Sequence, residues 1–213
     1  MSKIIQLLVS VMCAVFCSAS FAQGCKYSGA PGWNQSVREV VADCAAEFPS
    51  PNNSLVLRFA SNGRISIEGK IILFKGRQVE PPATFSWSPR SDAFFINDGE
   101  GSGMASTFRL FRIRGSRVYE DKTVERAAVS LYRRKTRCGS SAVDPNVYGF
   151  GWGNAGRRIY LLVQATVHEP CGQPYGFISL VVRTSDGTIL EVLSEEQTKE
   201  RFSAILPSSL FTK

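Results

Sequence analysis

Apolar residues recur along this chain at two different periods. Runs rich in β-branched and aromatic residues occupy 55–59, 65–67, 71–74, 94–96, 108–113, 159–167 and 177–183, and they predict strands. Asn62-Gly63, Lys75-Gly76 and Asp186-Gly187 stand beside such runs and predict tight turns. Three other segments carry helical spacing. Residues 36–48 set Val37, Val40, Val41, Cys44 and Phe48 on one face and stop at Pro49 and Pro51. Residues 120–137 open with Glu120, Asp121 and Glu125 and close with Arg133, Arg134, Lys135 and Arg137, the order a helix dipole favours. Their apolar stripe is Val124, Ala128, Leu131 and Tyr132. Ser194 with Gln197 forms a capping-box pair that opens a helix to about residue 205, stopped before Pro207.

The strand pattern is duplicated. Phe85-Ser86-Trp87 leads to the apolar run at 94–96, and Phe150-Gly151-Trp152 leads at the same spacing to Ile159-Tyr160-Leu161. A loop, a second apolar strand and a turn ending in glutamate follow each: Leu110 to Gly115 to Glu120, and Leu180 to Gly187 to Glu191. A fainter third unit precedes them, with 55–59, Asn62-Gly63, 71–74, Gly76 and Glu80. Repetition of this kind means one supersecondary unit used more than once. Trp87-Ser88-Pro89 resembles the Trp-Ser-Pro-x-Gly turn of TolB-type β-propeller blades. Ser91 stands where that pattern has glycine, and Gly156 supplies the glycine in the second copy. The resemblance implies blade-like β-meanders and no particular activity, because such blades serve binding proteins and enzymes alike. The chain is short of a standard ring of four or more blades of about 40 residues. The expected fold is therefore mainly β with about three helical inserts, in stacked antiparallel meanders resembling part of a propeller. Repeats fall at about 85–120 and 150–191, and both tryptophans should be largely buried.

The amino terminus reads as a secretory leader. Lys3 is followed by an apolar stretch from Ile4 to Phe16, and Ser20-Phe21-Ala22 forms a small-x-small cleavage site. Residues 1–22 are then removed and 23–213 form one β-rich domain, periplasmic or secreted, with no membrane-spanning segment after cleavage. Four cysteines remain after the leader: Cys25, Cys44, Cys138 and Cys171. In an oxidising compartment they favour two disulfides among three possible connectivities, with Cys25–Cys44 and Cys138–Cys171 the preferred pairs. Without a Cys-x-x-Cys, zinc is the weaker reading. The formal charge is +7, of which Lys3 supplies one. A basic exported protein suits a protein partner or an anionic component of the envelope. Nucleic acid is disfavoured by the compartment and by the lack of a basic-aromatic module.

Chemistry-bearing residues are sparse. The single histidine, His168, lies in Val167-His168-Glu169-Pro170-Cys171. A hydrolase would pair it with Asp98 or Glu169, but no Gly-x-Ser-x-Gly elbow supplies a nucleophile. Ser102 between Gly101 and Gly103 belongs to a loop reading. That loop, Asn97 to Gly103, carries Asp98 and Glu100 as possible calcium or ligand contacts, short of the 6–8 oxygens a calcium loop needs. No cofactor is implied. If the repeats stack in one orientation, the loops at 97–106 and 167–176 emerge on one rim, which makes Asp98, Glu100, Ser102, His168 and Glu169 the binding candidates. Arg58, Arg109, Arg112 and Arg114 nearly alternate on strands and suggest a solvent-facing basic stripe. The function expected is a non-enzymatic exported binding or interaction protein of the bacterial envelope, such as an inhibitor or immunity protein. The alternative is a periplasmic hydrolase built on His168.

Overall fold

The computed structural model describes residues 37–40, 45–67, 70–71, 78–80, 83–99, 106–136, 143–166 and 176–206. Thirteen strands in these segments form three antiparallel sheets. The first sheet is the meander β2 (Ala46–Pro49), β3 (Val56–Phe59), β4 (Ile65–Ile67) and β5 (Lys70–Ile71). The second is the meander β6 (Ala83–Trp87), β7 (Ala93–Asp98), β8 (Thr107–Arg114) and β9 (Arg117–Asp121), with β1 (Arg38–Val40) added beside β6. The third is the meander β10 (Asn146–Gly153), β11 (Arg158–Gln164), β12 (Phe177–Arg183) and β13 (Ile189–Leu193).

Both tryptophan-headed segments thus become four-stranded meanders, and each leads into a helix. After β9 comes α1 (Thr123–Thr136), and after β13 comes α2 (Glu195–Phe202). The signals read for these helices explain them. Glu125 lies in the first turn of α1 and Arg133, Arg134 and Lys135 in its last. Ser194 caps α2 by accepting from the Gln197 N–H, while the Gln197 side chain accepts from the Ser194 N–H.

Residues 36–48 are a correction. The described part of this segment holds β1 and β2, not a helix. Its apolar residues serve two cores. Val37 enters the core between the second and third sheets, whereas Val40, Ala46 and Phe48 enter the core between the first and second. Across β2, burial alternates with period two: Ala46 and Phe48 in, Glu47 and Pro49 out. The described residues therefore contain two helices instead of about three.

The second sheet is central because β7 is apolar on both faces. Phe94 and Ile96 pack with Phe48, Leu57, Phe59 and Ile67 of the first sheet. Phe95 points the other way, to Val147, Ile159, Leu161 and Leu180 of the third sheet and to Val124 and Ala128 of α1. A strand buried on both sides reads as a continuous apolar run, which is what 93–96 shows. The outer face of the third sheet buries Phe150, Leu162 and Val181 beneath Phe202 and Leu206. No described helix is long and apolar enough to cross a membrane.

The tryptophans act as equivalent ties between sheets. Trp87 Nε1 donates to the Phe48 carbonyl of β2 at 3.1 Å, and Trp152 Nε1 donates to Ser86 Oγ of β6 at 3.1 Å. Each indole reaches back to the preceding sheet. Their burial differs from expectation, however: Trp87 is buried, but Trp152 is only partly so. The turns after them also match. Ser91 N–H donates to the Ser88 carbonyl at 2.9 Å, and Gly156 N–H to the Gly153 carbonyl at 3.1 Å. Ser91 adopts φ +60° and Gly156 φ +85°, so the left-handed geometry persists where serine replaces glycine.

A polar clamp also joins the central sheet to the third. The Asn97 amide accepts from the Gly149 N–H at 2.7 Å and donates to the Gly149 carbonyl at 2.8 Å. It sits where β10 bulges between Gly149 and Gly151. Only glycine fits there, because a Cβ at 149 would lie 2.8 Å from the Phe108 ring and 3.0 Å from that of Phe95.

Candidate functional site

Several residues singled out in the sequence lie outside the described residues: Glu100, Ser102, His168, Glu169 and the cysteines Cys25, Cys44, Cys138 and Cys171. Asp98 is described, and the structure places it in β7 instead of a loop. It is 4% exposed, accepts from the Glu80 N–H at 3.2 Å and lies 3.7 Å from Arg109 Nη1. Arg109 in turn grips Glu120 through Nε at 3.2 Å and Nη2 at 2.8 Å. Asp98 is therefore buried inside the central sheet, in contact with Glu80 and Arg109.

The arginine stripe is a second correction. Arg109 shares a strand face with Phe111, toward the first sheet, and Arg112 lies on the opposite face with Phe108 and Leu110. Arg58 pairs with Glu47 at 2.7 Å, Arg112 pairs with Asp121 at 2.5 Å, and Arg114 lies over Tyr119. These four guanidiniums share no common surface. Asp121 illustrates how completely such pairs are used. Burial would raise its carboxyl, but hydrogen bonds from Thr123 and Arg112 outweigh this and hold it below its ordinary value.

What the strands do build is a cleft of about 640 Å³ at one end of the second and third sheets. Glu125, Arg126, Val129, Ser130 and Arg133, spaced along a single face of α1, line one wall together with Lys122, which precedes the helix. Ser106, Asp144, Asn146 and Thr166 line the other. Asn146 accepts from the Ser106 N–H at 3.0 Å, and Arg133 bridges the walls to Asp144 at 2.6 Å. Thr166 Oγ1 is a buried oxygen without a hydrogen-bond partner among the described residues. Ser106, Val143 and Thr166 line the cleft and adjoin segments 100–105, 137–142 and 167–175 respectively, so the ends of both expected rim loops meet at this cleft.

The cleft was not legible beforehand, because the α1 charges read as helix-dipole residues and Asp144 carried no pattern. Its lining residues are mostly polar, with charges, hydroxyls and one amide. Burial pushes the Glu125 carboxyl above its ordinary value, with the Lys122 charge opposing and Glu120 reinforcing the effect. Burial likewise raises the phenol of Tyr148, which follows Val147 of the cleft wall. Among the described residues no group of three His, Cys, Asp or Glu side chains could hold a metal ion.

The raised Glu125 value makes a testable statement. Between the ordinary glutamate value and the raised one, the folded state binds more protons than the unfolded state, so its contribution to stability falls as pH rises through that window. Glu125→Gln removes this loss. Urea midpoints measured from about pH 4 to pH 7 should show the variant gaining on the wild type as pH rises. A difference independent of pH would exclude burial of this carboxyl as the cause.

Comparison with known proteins adds no family: no family model and no curated protein matches this chain.

Proposed function

We propose that this chain is an exported, non-enzymatic binding protein of the bacterial envelope, of the inhibitor or immunity type, and that a protein partner occupies the rim cleft. One observation carries the reading. Ser106, Asp144 and Thr166, from three separate parts of the chain, meet at a single cleft whose other wall is a helix face. Loops presented by a packed β scaffold are the usual place for recognition. The leader at residues 1–22 supports an envelope location. Against the hydrolase alternative stands the commitment of Asp98 to Arg109 inside the sheet. A mixed wall of charges, hydroxyls and an amide suits the polar, partly hydrated contacts of a non-obligate interface.

The test is photo-crosslinking in intact cells of the native host. A photoreactive residue replaces Arg126 or Ser130, both exposed on the cleft wall, or Ser185 at the other end of the sheet. One discrete protein adduct from the two cleft positions and none from Ser185 is expected. Absence of an adduct at the cleft, or the same adduct from all three, would rule out this assignment.

A further inference from the structure

At the far end of the same strands, turns from the second and third sheets stack around a second depression, of about 420 Å³. Strand β11 has seven residues, which separates it from the rim by about 20 Å. Five arginines line it, Arg90, Arg112, Arg157, Arg158 and Arg183, and no acidic residue does among the described residues. Its floor is braced. The buried Thr184 donates its N–H to the Arg157 carbonyl at 3.0 Å and its hydroxyl to the Gly156 carbonyl at 3.1 Å. The Arg112 guanidinium donates to the Thr184 carbonyl. Gly156 lies against Ser88 and Pro89 of the equivalent turn, where a Cβ would meet Ser88 at 3.4 Å.

The balance of charge indicates what this basin takes. Arg90 is paired with Asp92 at 2.7 Å, Arg112 with Asp121, and Arg183 with Asp186 at 2.9 Å. Arg157 and Arg158 have neither an ion pair nor a side-chain hydrogen bond among the described residues. Glu191, the carboxylate whose field Arg158 feels, is itself gripped by Arg201. Arg157 and Arg158, adjacent in the chain, thus line a depression already rich in positive charge, and neither is tied down in an ion pair among the described residues.

The backbone beneath them is strained. Asn154, Ala155 and Gly156 take φ of +47°, +50° and +85° in succession, and only the last is glycine. A left-handed non-glycine residue costs about 1–2 kcal/mol, and such strain concentrates at ligand sites. The N–H groups of Asn154 and Ala155 have no backbone acceptor among the described residues.

We propose that this basin is a binding site for a phosphoryl group, held by the guanidiniums of Arg157 and Arg158 at its mouth. Each guanidinium presents a planar fork that matches two phosphate oxygens, whereas an ammonium offers a point charge. The depression has a volume of about 420 Å³. That leaves space for a phosphate with an attached glycerol or sugar. The source is either a soluble phosphoryl compound or a lipid headgroup at the membrane surface. This site is independent of the rim cleft, and either can fail alone.

Calorimetric titration with pyrophosphate and with glycerol phosphate probes the soluble source. Flotation with phosphatidylglycerol-containing vesicles, against phosphatidylcholine alone, probes the headgroup. Wild-type protein is expected to bind at least one of these, and the Arg157→Ala/Arg158→Ala double variant to bind it at least tenfold more weakly. Arg157→Lys/Arg158→Lys keeps the charge, loses the forks and should fall between the two. The control, Arg134→Ala/Lys135→Ala, removes equal charge from the exposed end of α1 and should stay within twofold of wild type. Binding to pyrophosphate or glycerol phosphate alone assigns a soluble ligand, and binding to the anionic vesicles assigns a headgroup. No binding by wild type to any probe, or an equal loss in the control, would overturn the site.

Discussion

Urea unfolding of an Arg109→Ala variant is expected to show a loss of about 3–5 kcal/mol, the cost of breaking a buried ion pair by removing one partner. The geometry sets that scale. Arg109 is 8% exposed and Asp98 4%, far from the water that makes surface pairs nearly worthless. Its guanidinium makes two hydrogen bonds to Glu120, lies 3.7 Å from Asp98 and stacks 5.6 Å over the Phe111 ring. Truncation leaves two carboxylates facing each other across a cavity in the central sheet. A combined Arg109→Met/Asp98→Asn/Glu120→Gln variant should recover much of the loss, because replacing a whole buried cluster costs far less than orphaning its members. A loss below about 1 kcal/mol for Arg109→Ala would mean the cluster behaves as an exposed pair, and the structural role given to Asp98 would be withdrawn.

Asp98 also illustrates where the sequence was hard to read. Asn97-Asp98-Gly99 resembles the start of a loop, and local turn chemistry favours that reading. Period two points elsewhere. Phe94, Ile96 and Asp98 share one face of β7, and Phe95 and Asn97 share the other. Both polar residues are then buried at the end of a two-sided core strand, each answered by a specific partner: Arg109 for Asp98 and the Gly149 backbone for Asn97. Those partners are remote in sequence, 52 residues away in the second case, so no local pattern announces them.

The same distinction separates the other successes and failures. The helices at 123–136 and 195–202 carry their instructions locally, in a charge gradient and a capping box, and they were legible. Residues 36–48 were not, because apolar positions three and four apart are also produced when two short strands feed different cores. Tertiary pairing, with β1 against β6 and β2 against β3, decided between them. The repeat was legible because its signals lie within each unit: a tryptophan, a turn and two apolar strands. The arginine basin was not, since Arg90, Arg112, Arg157 and Arg183 meet only when turns from two sheets stack. Composition registered the excess of positive charge but could not say where it gathers.

The repeat also yields the second large effect, and one that is asymmetric. Trp87→Ala should cost about 3–5 kcal/mol, as large-to-small changes in packed cores do. Trp87 is buried between the first and central sheets, 5.2 Å edge-on to Phe94, and its indole N–H satisfies the Phe48 carbonyl. Truncation would open a cavity and leave that carbonyl without its donor, adding about 1–3 kcal/mol unless water enters. Trp152→Ala should cost less, about 1–3 kcal/mol, because part of this indole already faces solvent. What it loses is contact with Phe95 at 5.5 Å and the bond to Ser86, the tie that holds the third sheet to the central one. Trp87→Phe and Trp152→Phe separate the two contributions, since each keeps an aromatic ring and deletes the N–H donor. The phenylalanine variants should recover most of the packing but lose about 1 kcal/mol each to the missing hydrogen bond. Thermal and urea unfolding of all four variants would measure this. If Trp152→Ala proved as damaging as Trp87→Ala, its partial exposure would not describe its energetic role. If neither phenylalanine variant differed from wild type, the indole ties between successive sheets would be incidental, and packing alone would hold the stack together.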